Sequence, residues 1–295
     1  MRINPNSIPD LLSALEQTQQ QVSTDMQQIA SGQSVNQPSD NPAAAGLLIE
    51  NADQTSEADQ FLRSIGSVQG EMQNADSALN SVITLLQRAI TLGTEGANGT
   101  LNDSDRQALA VEVQGMQSQL VGLANLSYQG NYVFAGTATE TAPYVQDPTS
   151  PSGVRYVGNA GVNLLAVGSN LSVQTNLPGS QLLSNSGNDV FQAIQELITS
   201  LQNGSGVDAA VNEISQAYDY VNAQRVFYGN SVSQLNAQQT YLNSETTQLA
   251  QQQNTLGGAD LDKAMTDLGS SEVSQQATLE AIGQTQQASL FSYLK

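Results

Sequence analysis

The sequence predicts a mainly α fold: an elongated antiparallel helical rod, coiled-coil-like, with a small β-rich insertion in the middle of the chain. Three observations predict it. Apolar residues recur at alternating steps of four and three along most of the 295 residues. The longest of these seams keeps one phase for about 50 residues, far beyond the ordinary helix of a compact globule. Between 130 and 186 that period gives way to short runs of β-branched and aromatic residues set apart by Gly, Pro, Asn and Asp.

The first seam is Ile8, Leu12, Leu15, Gln19, Val22, Met26, Ile29, with six of its seven positions apolar. It stops at Gly32, a residue suited to the left-handed cap that follows a helix. The next stretch, GQSVNQPSDNPAAA over 32–45, holds no large apolar side chain except Val35. Pro38 disfavours a helical Gln37. Asn41 suits an N-cap and Pro42 the first helical position, where its missing N–H is no loss. Gly32, Pro38, Asn41 and Pro42 therefore define a joint between two helices. On the residues alone it is equally an ordinary interhelical loop or a hinge between an assembly segment and a body.

A second seam runs Val68, Met72, Ala75, Leu79, Val82, Leu86, Ala89 and leaves through Gly93 to Gly99. Asn102-Asp103-Ser104-Asp105 offers several caps for the helix that follows, with Leu109, Val113, Met116, Leu120 and Leu123 on one face. The insertion is expected to hold strands at Tyr132–Phe134, Val154–Val157, Val162–Leu165 and Leu171–Gln174. A helix resumes near Asn188 with Val190, Ile194, Leu197 and Leu201.

The longest seam steps from Val207 through Val211, Ile214, Tyr218, Val221, Arg225, Tyr228, Val232, Leu235, Gln239, Leu242, Thr246, Leu249 and Gln253 to Leu256. Eleven of these fifteen positions are apolar, and a helix over them would be about 75 Å long at 1.5 Å per residue. Its core residues are Val221, Tyr228, Val232, Leu235, Leu242 and Leu249. One helix cannot bury such a stripe, so the helices at 68–93 and 109–123 are its expected partners. Gly229 sits inside this helix at a cost of about 1 kcal/mol relative to Ala, and close helix approach is the expected compensation. At the C-terminus Leu261, Met265, Leu268, Leu279 and Ile282 share a phase, from which Leu290, Phe291 and Leu294 drift. Helices lead into the insertion and helices lead back, so both ends of the chain are expected at the same end of the rod.

The predicted division is 1–36 with 258–295 as a terminal helical assembly segment, 37–129 with 187–257 as a helical rod body, and 130–186 as the insertion. The assembly seam comprises Ile8, Leu12, Leu15, Val22, Met26, Ile29, Leu279, Ile282, Leu290, Phe291 and Leu294.

Composition excludes several classes of function. With no Cys, His or Trp, the chain can form neither a disulfide framework, nor a Cys/His zinc site, nor a histidine triad. The net charge is −19, and the 8 Lys and Arg are scattered, which argues against nucleic acid and anionic membrane surfaces. No apolar run reaches the roughly 18 residues of a membrane span. The opening MRINPNSIPDLLSALEQ lacks a continuous apolar core and a cleavage-site pattern, so no secretory signal peptide is expected. The 38 Gln outnumber the 35 charged residues. Polar faces made of neutral amides can pack against copies of themselves without like-charge repulsion. No cofactor and no metal site is expected.

Several stretches together resemble the hook–filament junction proteins of the flagellin superfamily. QIASGQSVNQPSDNPAAA at 28–45 is similar to the superfamily's N-terminal signature, with Asn41 where a second Asp is usual. MRINPNSI, GNYVFAG at 130–136 followed by Pro143-Tyr144, the Arg225, Gly229 and Asn236 of AQRVFYGNSVSQLN, and SLFSYLK at 289–295 resemble further landmarks of those proteins. The resemblance implies an extracellular, non-enzymatic structural protein of the bacterial flagellum, whose terminal helices assemble as coiled coils. Copies would form a ring between hook-associated protein 1 on the hook side and flagellin on the filament side. Export would use the flagellar type III route, with a chaperone at the C-terminal helix. The alternative within the superfamily is a short flagellin. From another class, a carboxylate glycosidase would need two convergent acids; the insertion offers Glu140 and Asp147, read here as solvated loop acids. A calcium loop at 102–105 lacks the Gly and closing Glu of that motif.

Overall fold

The computed structural model describes residues 7–293, and side chains from 9 to 284. The chain is mainly α, with long helices and small antiparallel sheets confined to its middle, as the sequence predicts. The long helices are α1 (Ser7–Ser31), α2 (Pro42–Gly96), α3 (Asp103–Ala124), α5 (Val190–Asn203), α6 (Val207–Gly257) and α7 (Leu261–Tyr293). They start and stop where local chemistry dictates. The Asn102 side chain accepts from the Asp105 N–H at 2.8 Å and caps α3. Asp189 accepts from Phe191 and Gln192 and caps α5, which ends at Gly204 in a left-handed conformation.

Two compact units form, Met1–Glu57 with Ser244–Lys295, and Ala58–Asn243. The core of the second is continuous. α2 contributes Ile65, Met72, Leu79, Val82, Leu86 and Leu92; α3 contributes Val113, Met116 and Leu120; α5 contributes Ile194, Leu197 and Leu201. α6 closes this core with Val207, Ile214, Val221, Tyr228, Leu235 and Leu242, every second position of the longest predicted seam. The alternate positions are half-buried. Three polar ties join α2 and α6 over the apolar seam. Arg225 grips Asp76 with Nε and Nη2 at 2.5 and 2.8 Å and reaches Asn80; Gln69 bonds Asn236; and Gln87 bonds Tyr218.

Gly229 is a correction. A Cβ there would meet nothing within 4 Å, so close helix approach does not explain it. It is exposed and lies on the rim of an open groove with Asp76, Arg225 and Val226. Close approach occurs at Gly93 instead, where a Cβ would fall 2.4 Å from Val211 and 3.0 Å from Leu197.

The middle of the chain is built of four two-stranded antiparallel pairs: β1 (Ser127–Tyr128) with β2 (Asn131–Tyr132), β3 (Tyr144–Gln146) with β4 (Val154–Tyr156), β5 (Leu164–Gly168) with β6 (Leu171–Gln174), and β7 (Ser184–Asn185) with β8 (Asn188–Asp189). A single-turn helix, α4 (Gly179–Leu182), intervenes. Val133, Phe134, Val157, Val162 and Asn163 lie outside strands, against expectation. Their neighbourhood is held by separate bonds instead of a ladder. Val133 N–H donates to Leu126 O, and Gly179 N–H donates to Phe134 O. Three asparagines supply the rest. Asn125 makes a two-way pair with the Tyr144 backbone. Asn159 serves Thr137 and Gly161. Asn176, fully buried, accepts from Asn163 N–H and donates to Gly136 and Gly161 carbonyls. Side-chain amides thus satisfy backbone groups that strands this short cannot.

Candidate functional site

The described residues that the sequence singles out for assembly fall on α1 and α7, and those of the joint on the connector between α1 and α2 and the first residue of α2, all in one compact unit. α1 packs along α7. The inward face of α1 carries Leu15, Val22 and Ile29, alternating with Leu11, Thr18 and Asp25. The inward face of α7 carries Ala264, Leu268, Ser271, Gln275, Thr278 and Ile282. Much of this interior is small or polar. Asp25 is only 3% exposed, with Gln21 donating to one carboxylate oxygen at 3.0 Å and Ser271 reaching the other at 3.5 Å.

The predicted seam is therefore divided. Leu15, Val22, Ile29 and Ile282 are half-buried. Leu12 (48% exposed), Met26 (50%) and Leu279 (50%) point outward, as do Leu261, Met265 and Val273 on α7. The side chains of Ile8, Leu290 and Phe291, and the whole of Leu294, lie outside the described residues. The pair thus has a partly polar interior and large apolar groups on its outside. A soluble helical hairpin ordinarily has the reverse.

The joint is ordered by named contacts. Gly32 takes φ +68°, and its N–H donates to Gln28 O at 2.9 Å, ending α1. The Asp40 carboxylate accepts from the backbone N–H of Asn36 and of Gln37, at 3.0 and 2.9 Å, and closes the loop. Asn41 then accepts from Ala44 N–H at 3.1 Å, and α2 begins at Pro42. Pro38 lines a 580 Å³ cavity with Val35, Leu48, Ile49 and Asn254.

Two features were not foreseen. Asp40 is absent from the expected joint, although Asp is among the residues whose side chains bind nearby backbone N–H groups in turns. The connector also pairs with the turn between α6 and α7. Ser34 N–H donates to Gly257 O at 2.7 Å, Ala259 N–H donates to Gly32 O at 3.0 Å, and Gln33 bridges Gly258 in antiparallel fashion. The pair Gly257-Gly258 ahead of Asp260, which caps α7 through Lys263 N–H, was the available signal.

The residues predicted for the rod core are placed as follows. Val221, Tyr228, Leu235 and Leu242 are buried in the Ala58–Asn243 unit, and Val232 is half-buried there. Leu249 is buried in the other unit. Tyr228 accepts from Leu177 N–H, and burial pushes its hydroxyl up from the usual tyrosine range. Of the two insertion acids, Asp147 is held below the usual carboxylate range by hydrogen bonds from Thr149 first and from Arg155 second, while Glu140 is exposed. At 102–105, Asn102 serves as a cap and Asp103 pairs with Arg106. Among the described residues no helix is long and apolar enough to cross a membrane, and no group of three or more acidic residues is placed to hold a metal ion.

The profile of the bacterial flagellin N-terminal helical region matches residues 6–139. Flagellar hook-associated protein 3 of Escherichia coli K12 is 29% identical over 180 residues, which is 61% of this chain and 53% of that protein. The chain thus spans about half the length of that relative. A flagellin of Listeria innocua is 24% identical over 247 residues, 80% of this chain and 85% of the flagellin. Among solved structures, the flagellar junction protein FlgL from Legionella pneumophila superposes with a TM-score of 0.61 over 72% of this chain and 100% of that one, at 13% identity. At that identity the likeness is one of fold.

Proposed function

The chain resembles flagellar hook-associated protein 3 of the flagellin superfamily, and from that premise we propose that it is a structural protein of the bacterial flagellum, joining the hook to the flagellin filament. Copies assemble in a ring through 1–36 and 258–295, with hook-associated protein 1 on one side and flagellin on the other. Residues 37–129 with 187–257 form the helical body that these ends serve, and 130–186 is an insertion carried on it. The protein works outside the cell, exported by the flagellar type III route, with a chaperone holding the C-terminal helix beforehand. It does so as a scaffold and not as an enzyme; Asp147, tied to Arg155, is not free for acid–base work.

The observation that carries this reading is the inverted hairpin. Leu12, Met26, Met265, Val273 and Leu279 are exposed on α1 and α7, while Asp25 and Ser271 are buried between them. Apolar surface of this kind marks a contact to be made, on helices that also expose glutamines and the acids Asp10, Glu16, Asp262, Glu272 and Glu280.

The test is Leu12→Asp and Met26→Asp, each as the only copy in motile cells. Both residues are half exposed in the single chain, so melting of the purified protein should be unchanged. The variants should be exported, and filaments should detach from hooks. Wild-type filament retention by both would remove the proposed role of this face.

A short flagellin is a second reading, favoured by the extent of the Listeria match, 80% of this chain. Deletion of the gene separates the two. Loss of the junction protein leaves flagellin secreted but unattached, whereas loss of the flagellin leaves no filament protein in the medium.

A further inference from the structure

The sequence holds two Asn-Gly pairs, Asn98-Gly99 and Asn203-Gly204. Asparagine is most open to attack by its own chain when glycine follows, because no Cβ then keeps the next backbone nitrogen from the side-chain amide carbon. All four residues are exposed, so access to solvent does not separate the two pairs. Backbone hydrogen bonding does.

Asn203 is the last residue of α5, and the Gly204 N–H donates to Ser200 O, with Gly204 at φ +68°. The nitrogen that would attack is tied back to its own helix. Asn98 lies instead in the connector between α2 and α3. Among the described residues nothing accepts from the Gly99 N–H. The Asn98 amide oxygen accepts from both the N–H and the hydroxyl of Thr100, at 3.2 and 3.0 Å. These two donors draw electron density from Cγ and already face the oxygen on which negative charge develops during attack. One pair is free and activated; the other is held.

We propose that Asn98-Gly99 is a self-modifying site, at which Asn98 deamidates through a cyclic imide while Asn203 is spared. The Gly99 nitrogen bonds to Asn98 Cγ, and the side-chain nitrogen leaves with the Gly99 proton as ammonia. Solvent water then opens the imide. Opening at the former side-chain carbonyl leaves aspartate at 98. Opening at the backbone carbonyl leaves isoaspartate, with the chain routed through the former side chain. Either product adds one negative charge to a chain that already carries −19. Isoaspartate also places a methylene in the backbone and displaces the carbonyl of residue 98, which accepts from Leu101 N–H at 3.0 Å. Leu101 O in turn accepts from Arg106 at 2.6 Å, so the turn leading into α3 loosens. Only the use of this change rests on the proposed junction role: in a subunit that stays outside the cell, away from cytoplasmic repair, the mark accumulates with age.

The purified full chain, aged in neutral buffer made with heavy-oxygen water and mapped by peptide mass spectrometry, decides the matter. Heavy oxygen should enter residue 98 steadily, and residue 203 should lag several-fold behind. In urea, where the α5 hydrogen bond is gone, the two sites should convert alike. Gly99→Ala should slow the reaction at 98 several-fold without changing the melting temperature, since a Cβ at Gly99 meets nothing within 4 Å. Equal conversion of both sites in the folded chain would overturn the proposal. So would an intact Asn98 over a period in which the urea sample converts. An unchanged rate in Gly99→Ala would mean direct hydrolysis without the imide, and would overturn it equally. Filament attachment plays no part in these measurements, so the site can fail while the junction role stands, and the reverse.

Discussion

The Ser271 hydroxyl on α7 lies 3.5 Å from the Asp25 carboxylate on α1, and both residues are buried. A buried carboxylate is costly unless hydrogen bonds replace its water. Here Gln21 and Ser271 replace it, and the contact sits where a coiled coil would ordinarily carry an apolar pair. Polar groups at such positions fix register at some cost in stability.

Ser271→Ala should therefore loosen the hairpin. A hydrogen bond to a charged group is worth about 1.5–3 kcal/mol, and the 3.5 Å length of this one puts it at the low end. Amide exchange in α1 should speed up roughly tenfold, as a loss of about 1.4 kcal/mol implies, with exchange in α3 and α5 unchanged. Asp25→Asn, which keeps the shape and the acceptor for Gln21, should be milder. Equal exchange rates in Ser271→Ala and the parent chain would mean that the contact does not hold the helices.

Leu242→Ala and Leu15→Ala should differ in kind. Leu242 is buried in the continuous core of the Ala58–Asn243 unit, and truncating such a residue costs about 2–5 kcal/mol. Leu15 is half-buried on α1, so its truncation removes less apolar area. Calorimetry should show a lowered main transition for Leu242→Ala and an unshifted one for Leu15→Ala. A common shift would join the terminal helices to the core thermodynamically.

How much of this was legible in the sequence depended on the kind of signal. The α6 seam was legible because period and phase persist: Val207, Ile214, Val221, Tyr228, Leu235, Leu242 and Leu249 are all buried. Gly32, Asn41-Pro42 and Asn102 were legible because caps are local chemistry. The face that α1 turns to α7 was not. Leu11 and Leu12 are adjacent, and the choice between their two stripes turned on Asp25, which no hydrophobic count places inside. The Gln33–Gly258 bridge joins residues far apart in sequence through backbone atoms alone, so side-chain patterns carry no trace of it. In the insertion, β4, β5 and β6 were legible at Val154–Tyr156, Leu164–Leu165 and Leu171–Gln174, whereas β1, β3, β7 and β8, two or three residues each, are too short to carry an alternating run.

Acidity should act on a pair of glutamates. The Glu213 carboxyl on α6 shares a hydrogen bond with Glu196 on α5, which pushes it up to about 7. Glu196 is held below the usual range by that bond and by Gln192. The raised group stabilises the fold below its unfolded value, near 4.5, and loses that contribution as pH rises through about 7. The lowered group stabilises above its unfolded value and loses its contribution as pH falls through its depressed folded one. The pair is therefore best satisfied between about 4.5 and 7, holding one proton. Both groups are largely open to solvent, so the stability change is small. Carbon-detected NMR titration should find one glutamate with a midpoint near 7, absent in Glu196→Gln. Ordinary midpoints for every glutamate would contradict the shared proton.

The joint yields the most demanding test of the junction role. Asp40 binds the Asn36 and Gln37 N–H groups, and Asn41 binds that of Ala44. Asn41→Ala removes a cap worth about 1 kcal/mol, and Asp40→Ala frees two loop N–H groups to water, where they are readily hydrated. Neither touches the core of the Ala58–Asn243 unit, so its melting should not change. What changes is the definition of the turn from α1 into α2. A protein that bridges two different tubular lattices needs that turn held within limits, because an angular error at the joint displaces every residue of α1. Filament retention on hooks should fall in Asp40→Ala, fall further in Asp40→Ala/Asn41→Ala, and fall most when 37–42 is replaced by Gly and Ser. The graded order matters, since export failure would abolish retention at once and leave none of the variant in the medium. Wild-type retention with the Gly/Ser replacement would make GQSVNQPSDNP a passive connector, and the angle between α1 and α2 would then be set by the neighbouring subunits alone.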